Sequence, residues 1–172
     1  MAKFWKPHVE SEHKVLELGC NVGANLETLR LLGFTSLAGV EINPEAVKLM
    51  SSVFPDLYRD VNVKIGSLDD RLPLLATDSS DVIFTMAVLM HVHPKSNNIF
   101  SEMVRIARKY IVTVEPEFAN YGYVFSRNYR RVFQKLGCAQ LSSVTIGIDA
   151  TNDETADYHG ITLRLFSVSN DK

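Results

Sequence analysis

Short apolar runs alternate with amphipathic segments along most of this chain, and this alternation limits its fold more than any other feature. Five runs have the length of buried strands, at residues 14–18, 36–42, 61–65, 82–88 and 110–114. The segments between them space their apolar residues as helices do; in 25–32, for example, Leu26 and Leu29 fall on one face. Strands that alternate with helices predict a parallel sheet buried on both faces.

Local signals mark where several of the helices begin and end. Asn43 and Pro44 predict a helix start, with asparagine as the cap and proline in the first turn. Pro94 is expected to open a further helix in the same way. A helix over residues 123–136 is expected to end at Gly137.

The last third of the chain departs from the alternation. Residues 141–148 and 161–168 both have the character of strands, and only an acidic loop, from Asp149 to Gly160, joins them. Two strands without a helix between them form a hairpin, so one must run against the others. The predicted fold is therefore α/β, with a Rossmann-like, doubly wound, seven-stranded sheet that is mostly parallel and has an antiparallel C-terminal hairpin. At 172 residues, the chain is expected to form a single domain over 1–172.

Composition restricts the partners and the compartment. Eighteen basic and 20 acidic residues give a net charge of -2, which lacks the basic excess of nucleic-acid-binding proteins. The first residues resemble no signal peptide, and the longest apolar run, 82–90, is too short to span a bilayer. Cys20 and Cys138 lie far apart in sequence and are expected to be reduced thiols. These features predict a cytoplasmic protein that uses neither nucleic acid nor a membrane as partner.

The loop after the first strand carries the main ligand signal. Gly19 and Gly23 permit a tight turn at the carboxyl end of the strand, where ligands of such sheets bind. A dinucleotide fingerprint would need glycine where Asn21 and Ala24 stand. Glu17 would repel a phosphate, but it would attract the ammonium group of an amino acid. The loop thus favours a nucleoside joined to an amino acid.

The following strand ends add further candidate ligand residues. Glu41 ends the second strand, where its carboxylate can accept hydrogen bonds from both hydroxyls of a ribose. Ile42 can press against a purine ring, and the turn with Ser67 and Leu68 can contact its edge. Capping and turn formation are the alternative roles for Glu41 and Ser67. The candidate cofactor-binding residues are Glu17, Gly19, Cys20, Asn21, Gly23, Asn25, Glu41, Ile42, Ser67, Leu68, Thr85 and Met86.

The run from Val15 to Pro94 resembles class I S-adenosylmethionine-dependent methyltransferases. The glycine motif of that family is matched by 17–23, its ribose-binding acid by Glu41, and its adenine-edge motif by 66–69. The resemblance implies S-adenosylmethionine as cofactor and S-adenosylhomocysteine as product. Residues 17–26, 39–43 and 89–94 are more narrowly similar to methylases associated with pseudaminic acid biosynthesis, which implies a sugar-like acceptor. The family usually has more chain before its first strand than the 13 residues here, so we expect an open cleft, or one closed by a second copy or a partner subunit.

His91 and His93 follow the fourth strand and are the candidate catalytic bases, since an unperturbed imidazole titrates near neutral pH. A helix cap is the alternative role for either histidine. A metal pair lacks a third ligand at useful spacing, so we expect no metal. Glu115 could hold a cationic substrate or accept helix-end donors, and Phe4 with Trp5 could form a short lid over the ligand.

These features, together with the resemblance, predict an enzyme that moves a methyl group from S-adenosylmethionine to a small-molecule or sugar-like acceptor. The alternative is a catalytically silent S-adenosylmethionine-binding scaffold or partner subunit. A nicotinamide-dependent reductase is the third hypothesis, and Asn21 and Glu17 argue against it.

Overall fold

The computed structural model describes residues 2–5, 7–117, 122–146 and 160–169. Seven strands form one sheet in the order 3-2-1-4-5-7-6. The strands are β1 (Val15–Leu18), β2 (Leu37–Glu41), β3 (Asn62–Ile65), β4 (Ser80–Met86), β5 (Ala107–Pro116), β6 (Ala139–Ile146) and β7 (Ile161–Ser167).

Helices connect most of the strands. They are α1 (Ala2–Trp5), α2 (Ala24–Leu31), α3 (Pro44–Val53), α4 (Pro55–Asp60), α5 (Leu68–Arg71), α6 (Asn98–Ile106) and α7 (Tyr129–Lys135). Single 3-10 turns occupy Leu72–Leu74, Leu89–His91 and Pro94–Ser96. Within the described part of the chain, no helix is both long and apolar enough to cross a membrane.

The sheet topology confirms the predicted fold. Strands β1 to β5 pair in parallel, whereas β7 lies antiparallel between β5 and β6. The chain fills one side of β1 with β2 and β3 before it crosses to β4 on the other side. The crevice where the winding direction changes therefore lies at the carboxyl ends of β1 and β4, where such sheets bind ligands.

Successive residues of the central strands enter separate cores on the two faces of the sheet. In β4, Ile83 packs into the core beneath α6 and α7, while Phe84 packs into the core that contains Leu26 of α2. Both side chains are fully buried. Burial on both faces explains why these strands read as continuous apolar runs rather than as alternating patterns.

Four local expectations differ from the structure. The strand at 61–65 is not buried on both faces, because β3 is the edge of the sheet and its side chains are mostly exposed. Pro94 opens a 3-10 turn, and α6 begins only at Asn98. The last helix begins at Tyr129 instead of 123, where Asn128 caps it. Strand β6 begins at Ala139, two residues earlier than expected, and most of the acidic loop lies outside the described residues.

The N-terminal segment does not form the lid that was one possibility for Phe4 and Trp5. Trp5 is buried, and its ring centroid lies 5.1 Å from that of Phe84 in the core. Phe4 packs against the same core cluster, which also contains Val9 and Val15. The aromatic pair therefore covers one face of the sheet and not the ligand crevice.

Candidate functional site

An elongated cleft opens at the carboxyl ends of β1, β2 and β4. Its larger part has a volume of about 700 Å³, and a second part of about 310 Å³ adjoins it beside the turn after β3. The two parts form one cleft because both are lined by Gly19, Glu41, Ile42, Val88 and His91.

The loop after β1 supplies the floor of this cleft. Gly19 has a φ of +71°, and its amide donates to the Val40 carbonyl at 2.8 Å. A Cβ atom at Gly19 would lie 2.3 Å from a methyl group of Val88. At Gly23, with a φ of +84°, a Cβ would instead meet Met50. Gly19 thus allows the wall after β4 to approach, whereas Gly23 allows Met50 of α3 to pack against the start of α2.

Glu41 ties the loop after β1 to the loop after β2. Its Oε2 accepts the backbone amide of Asn21 at 2.8 Å, and its Oε1 accepts that of Asn43 at 2.8 Å. The side chain lines both parts of the cleft although the residue is only 8% exposed. A carboxylate can accept about four hydrogen bonds, so it retains capacity for two ligand hydroxyls.

Glu17 lies buried behind the glycine loop. Asn25, which lines the cleft, donates from Nδ2 to Glu17 Oε1 at 2.7 Å. Oε2 of Glu17 has no hydrogen-bond partner among the described residues. Burial raises the pKa of Glu17 to about 8; the Asn25 hydrogen bond opposes this shift and the charge of Glu41 adds to it. A cation at this place would satisfy the oxygen and favour the ionised carboxylate.

Cys20 lines the cleft as a protonated thiol. Burial, together with the charges of Glu17 and Glu41, raises its pKa to about 12. A Cβ atom at Gly39 would lie 2.5 Å from the Sγ atom of Cys20. The residue therefore shapes the loop and is not a nucleophile.

The smaller part of the cleft is bounded by the turn after β3. The Ser67 hydroxyl accepts the Asp70 amide at 3.2 Å and so caps α5. Leu68 and Asp69 line the cleft beside Ser67. Ile42 lies opposite and is 68% exposed, an apolar surface available to a flat ligand.

The end of β4 places its two candidate residues differently. Met86 is 41% exposed and lines the cleft. Thr85 is fully buried, and its hydroxyl lies near Glu115 rather than in the cleft. Glu115 could have held a cationic substrate or accepted helix-end donors. In the structure its carboxylate accepts the backbone amides of Val88 and Leu89.

The two histidines occupy different positions. His91 is exposed and lines both parts of the cleft. His93 lines only the smaller part, and its Nδ1 accepts the Lys95 amide at 3.1 Å, which caps the 3-10 turn. Its ring also packs edge-on against Phe125 at 5.1 Å. The capping role considered for one of the histidines therefore belongs to His93.

Most of the sequence-predicted residues thus line one cleft, except Glu17, Gly23 and Thr85, which lie behind it. Sequence reasoning missed Ala87 and Val88, which also line it. Ala87 has a φ of +54°, which turns the chain sharply after β4, but an alanine gives no sign of this in a sequence. No group of three or more metal-ligating side chains occurs among the described residues.

Several solved structures share this fold at low sequence identity. A chain of the complex between the Haloferax volcanii Trm112 methyltransferase activator and a methyltransferase aligns with a TM-score of 0.77 and 18% identity, over 96% of this chain and 86% of that one. Geranyl diphosphate C-methyltransferase from Streptomyces coelicolor, solved with Mg²⁺, geranyl diphosphate and S-adenosyl-L-homocysteine, aligns with a TM-score of 0.75 and 14% identity, over 98% of this chain and 76% of that one. Magnesium protoporphyrin IX methyltransferase from Synechocystis, solved with its methyl donor, aligns with a TM-score of 0.69 and 14% identity, over 92% of this chain and 71% of that one.

No curated protein sequence matches this chain. A family model described as a methyltransferase domain matches residues 16–110, which include the glycine loop, Glu41 and both histidines. The chain therefore belongs to this family of methyltransferase domains, whose cofactor is S-adenosylmethionine.

Proposed function

We propose that this protein transfers a methyl group from S-adenosylmethionine to a hydroxyl group of a small, sugar-like acceptor. The observation that carries the proposal is the cleft itself. The glycine turn after β1, Glu41 at the end of β2 and the turn after β3 line it together, and the buried Glu17 lies behind the glycine turn.

The polar groups of the cleft fit the parts of this cofactor. Glu41 would hold the two ribose hydroxyls with the accepting capacity that Asn21 and Asn43 leave free. The charge of Glu17, whose Oε2 has no partner among the described residues, would attract the ammonium group from behind Asn25, which lines the cleft.

Apolar and main-chain groups would hold the adenine at the other end of the cleft. Ile42 and Leu68 would contact the faces of the ring, and the turn with Ser67 its edge. Gly19, Cys20 and Asn21 would contact the ligand along the floor, and Met86 beside the methionine chain. Thr85 and Gly23 support this site from behind and would not touch the ligand.

The chemistry needs orientation first and proton removal second. When bound, S-adenosylmethionine supplies an electrophilic methyl group on sulfur. The walls of the cleft would align an acceptor oxygen with that group, and alignment alone can lower a barrier by several kcal/mol. A hydroxyl acceptor must also lose its proton, and His91 is the exposed imidazole at the junction of both parts of the cleft. His93 is the weaker candidate because its Nδ1 already accepts a backbone amide.

The charges of the cleft favour a small acceptor over a nucleic acid. Glu41 and Asp69 are the acidic residues that line it, and no lysine or arginine is found among the described residues of its lining. A phosphate backbone would require basic partners there.

The test is methyl transfer from radiolabelled S-adenosylmethionine to a panel of sugars, nucleotide sugars, small amines and oligonucleotides. We expect label in a hydroxylated small molecule, and we expect Glu41→Ala to abolish the signal at low cofactor concentration. Transfer to oligonucleotides alone, or to amines alone, would contradict the acceptor class.

A second candidate is a cofactor-binding subunit that needs a partner chain. It is favoured by the likeness to a chain of the Haloferax volcanii complex, which contains a methyltransferase activator. S-adenosylhomocysteine binding without turnover on any acceptor would favour this candidate.

A further inference from the structure

Two charged side chains hold the turn after β4 from the side that faces away from the cleft. Glu115, near the end of β5, is fully buried, and its Oε1 accepts the amides of Val88 and Leu89, each at 3.1 Å. Its Oε2 lies 3.4 Å from the Met90 amide. Three successive backbone donors thus point at one carboxylate.

Arg127 binds the same turn through its carbonyl groups. Its Nη2 donates to the Val92 carbonyl at 2.6 Å, and its Nη1 lies 3.3 Å from the Leu89 carbonyl. The guanidinium also donates to the Phe125 carbonyl at 2.8 Å, and it lies over the Phe100 ring. A planar group with five donors suits this arrangement, and a lysine could not reproduce it.

The turn held in this way forms a wall of the cleft. Val88 and His91 line both of its parts, whereas neither Glu115 nor Arg127 lines either part. The wall also contacts the floor so closely that no Cβ fits between Gly19 and Val88. A displacement of the turn would therefore change the width of the cleft.

We propose that Glu115 and Arg127 are positioning residues of the cofactor site, which fix the turn with Val88 and His91 from behind and so control cofactor affinity without contact with the ligand. The proposal rests on the cofactor site proposed above. Buried donors that lose their only acceptor carry a large penalty, so the turn would rearrange if the carboxylate were replaced by an apolar group.

The surroundings of Glu115 make its protonation state responsive. Thr85 faces it from β4, Thr162 is its register partner on β7, and the nearby Tyr129 hydroxyl is influenced by the charges of Glu115, Arg127 and Glu117. Burial raises the pKa of Glu115 to about 7, although the amides of the turn oppose this shift. The amides of Val88 and Leu89 should therefore report a titration close to neutral pH.

The first test compares S-adenosylhomocysteine binding by calorimetry at pH 8. We expect Glu115→Leu to weaken binding by about tenfold or more, because the amides of Val88, Leu89 and Met90 lose their acceptor. Glu115→Gln keeps an oxygen for both amides and should rescue affinity to within about threefold. Thr113→Val is the matched control: Thr113 lies on the same strand, is fully buried, and its hydroxyl has no partner among the described residues.

Two further measurements apply if Glu115→Leu does not fold. Arg127→Lys should weaken binding by about fivefold or more, since a compact ammonium group does not span the Leu89, Phe125 and Val92 carbonyls as the planar guanidinium does. Arg130→Lys, on the exposed side of α7, should leave binding unchanged. In NMR spectra, the Val88 and Leu89 amides should titrate together in the wild type and not in Glu115→Gln. Saturation with S-adenosylhomocysteine should lower the midpoint pH of this titration. The reason is that the ligand favours the state in which the ionised Glu115 carboxylate holds the turn.

Wild-type affinity in Glu115→Leu would overturn the proposal. The proposal would also be overturned if Arg127→Lys and Arg130→Lys bound S-adenosylhomocysteine equally well and the ligand did not change the midpoint pH of the amide titration. A wild-type protein that binds no S-adenosylhomocysteine would overturn the proposed cofactor site itself, and this outcome is distinct because it precedes every comparison of variants.

Discussion

The Glu41 carboxylate accepts the backbone amide of Asn21 at 2.8 Å, so the residue proposed to hold the ribose also fixes the loop after β1. Glu41→Ala would remove both functions at once. We expect cofactor affinity to fall by about 1.5–3 kcal/mol, the usual range for hydrogen bonds to a charged group. The melting temperature should fall as well, because two backbone amides lose their acceptor.

Glu45→Ala is the control for this variant. Glu45 lies near the start of α3, and its side chain is 76% exposed and pairs only loosely with Lys48 at 3.8 Å. Calorimetry with S-adenosylhomocysteine should show wild-type affinity for this control. Equal affinities of the two variants would remove Glu41 from the site.

Alanine variants at Gly19 and Gly33 can separate the effect of the contact with Val88 from the effect of backbone strain. Both have a positive φ, +71° and +93°, so alanine is strained at either position. Only at Gly19 would the new Cβ meet another group, a Val88 methyl at 2.3 Å. We expect Gly19→Ala to lose most of its cofactor affinity, and Gly33→Ala to lose stability by about 1 kcal/mol while it binds normally. Normal binding by both variants would show that the wall after β4 adjusts freely.

The stability of the ligand-free protein should decrease as the pH rises from about 5 to 8. Burial raises the pKa of Glu17 to about 8 and that of Glu115 to about 7, both from 4.5. Between these values the folded state retains protons that the unfolded chain has released, so the free energy of unfolding falls with pH. Urea denaturation at several pH values checks this, and Glu17→Gln should flatten the profile. A profile that rises through this range would contradict the assignment.

His91 should matter for turnover and His93 for stability. If His91 accepts the proton of a hydroxyl acceptor, His91→Ala should lower turnover by about 10²–10⁴-fold at saturating cofactor. His93→Ala should lower the melting temperature, because the 3-10 turn loses its cap, and should leave turnover per folded molecule intact. Full turnover in His91→Ala would place the base elsewhere or show that none is used.

The sequence carried most of the information on the fold, because buried parallel strands are continuous apolar runs. The prediction was wrong for β3. Val63 and Ile65 are typical of a buried strand, and nothing in the local sequence distinguishes a central strand from one at the edge of the sheet. The predicted start of α7 was also too early. Tyr123 and Val124 were assigned to the helix, whereas α7 begins only after its cap, Asn128.

The position of a residue in the cleft was predictable where it directly follows or ends a strand of the sheet, as for the glycine loop and Glu41, whereas their roles stay predictions. Position relative to the cleft was less predictable. Thr85 and Met86 are adjacent in sequence, yet a strand sends them to opposite faces, and only Met86 lines the cleft. The sequence suggested helix-end donors as partners of Glu115, but it did not identify them, because Val88 lies 27 positions away in the chain.

Calorimetric titration of the purified protein with S-adenosylhomocysteine, and separately with NAD, tests the central claim most directly. The unpartnered oxygen of Glu17 and the carboxylate of Glu41 predict binding of the sulfur ligand and no heat from NAD. A crystal of the complex should then place the ribose hydroxyls within hydrogen-bond distance of Glu41. Binding of NAD without binding of S-adenosylhomocysteine would contradict the account.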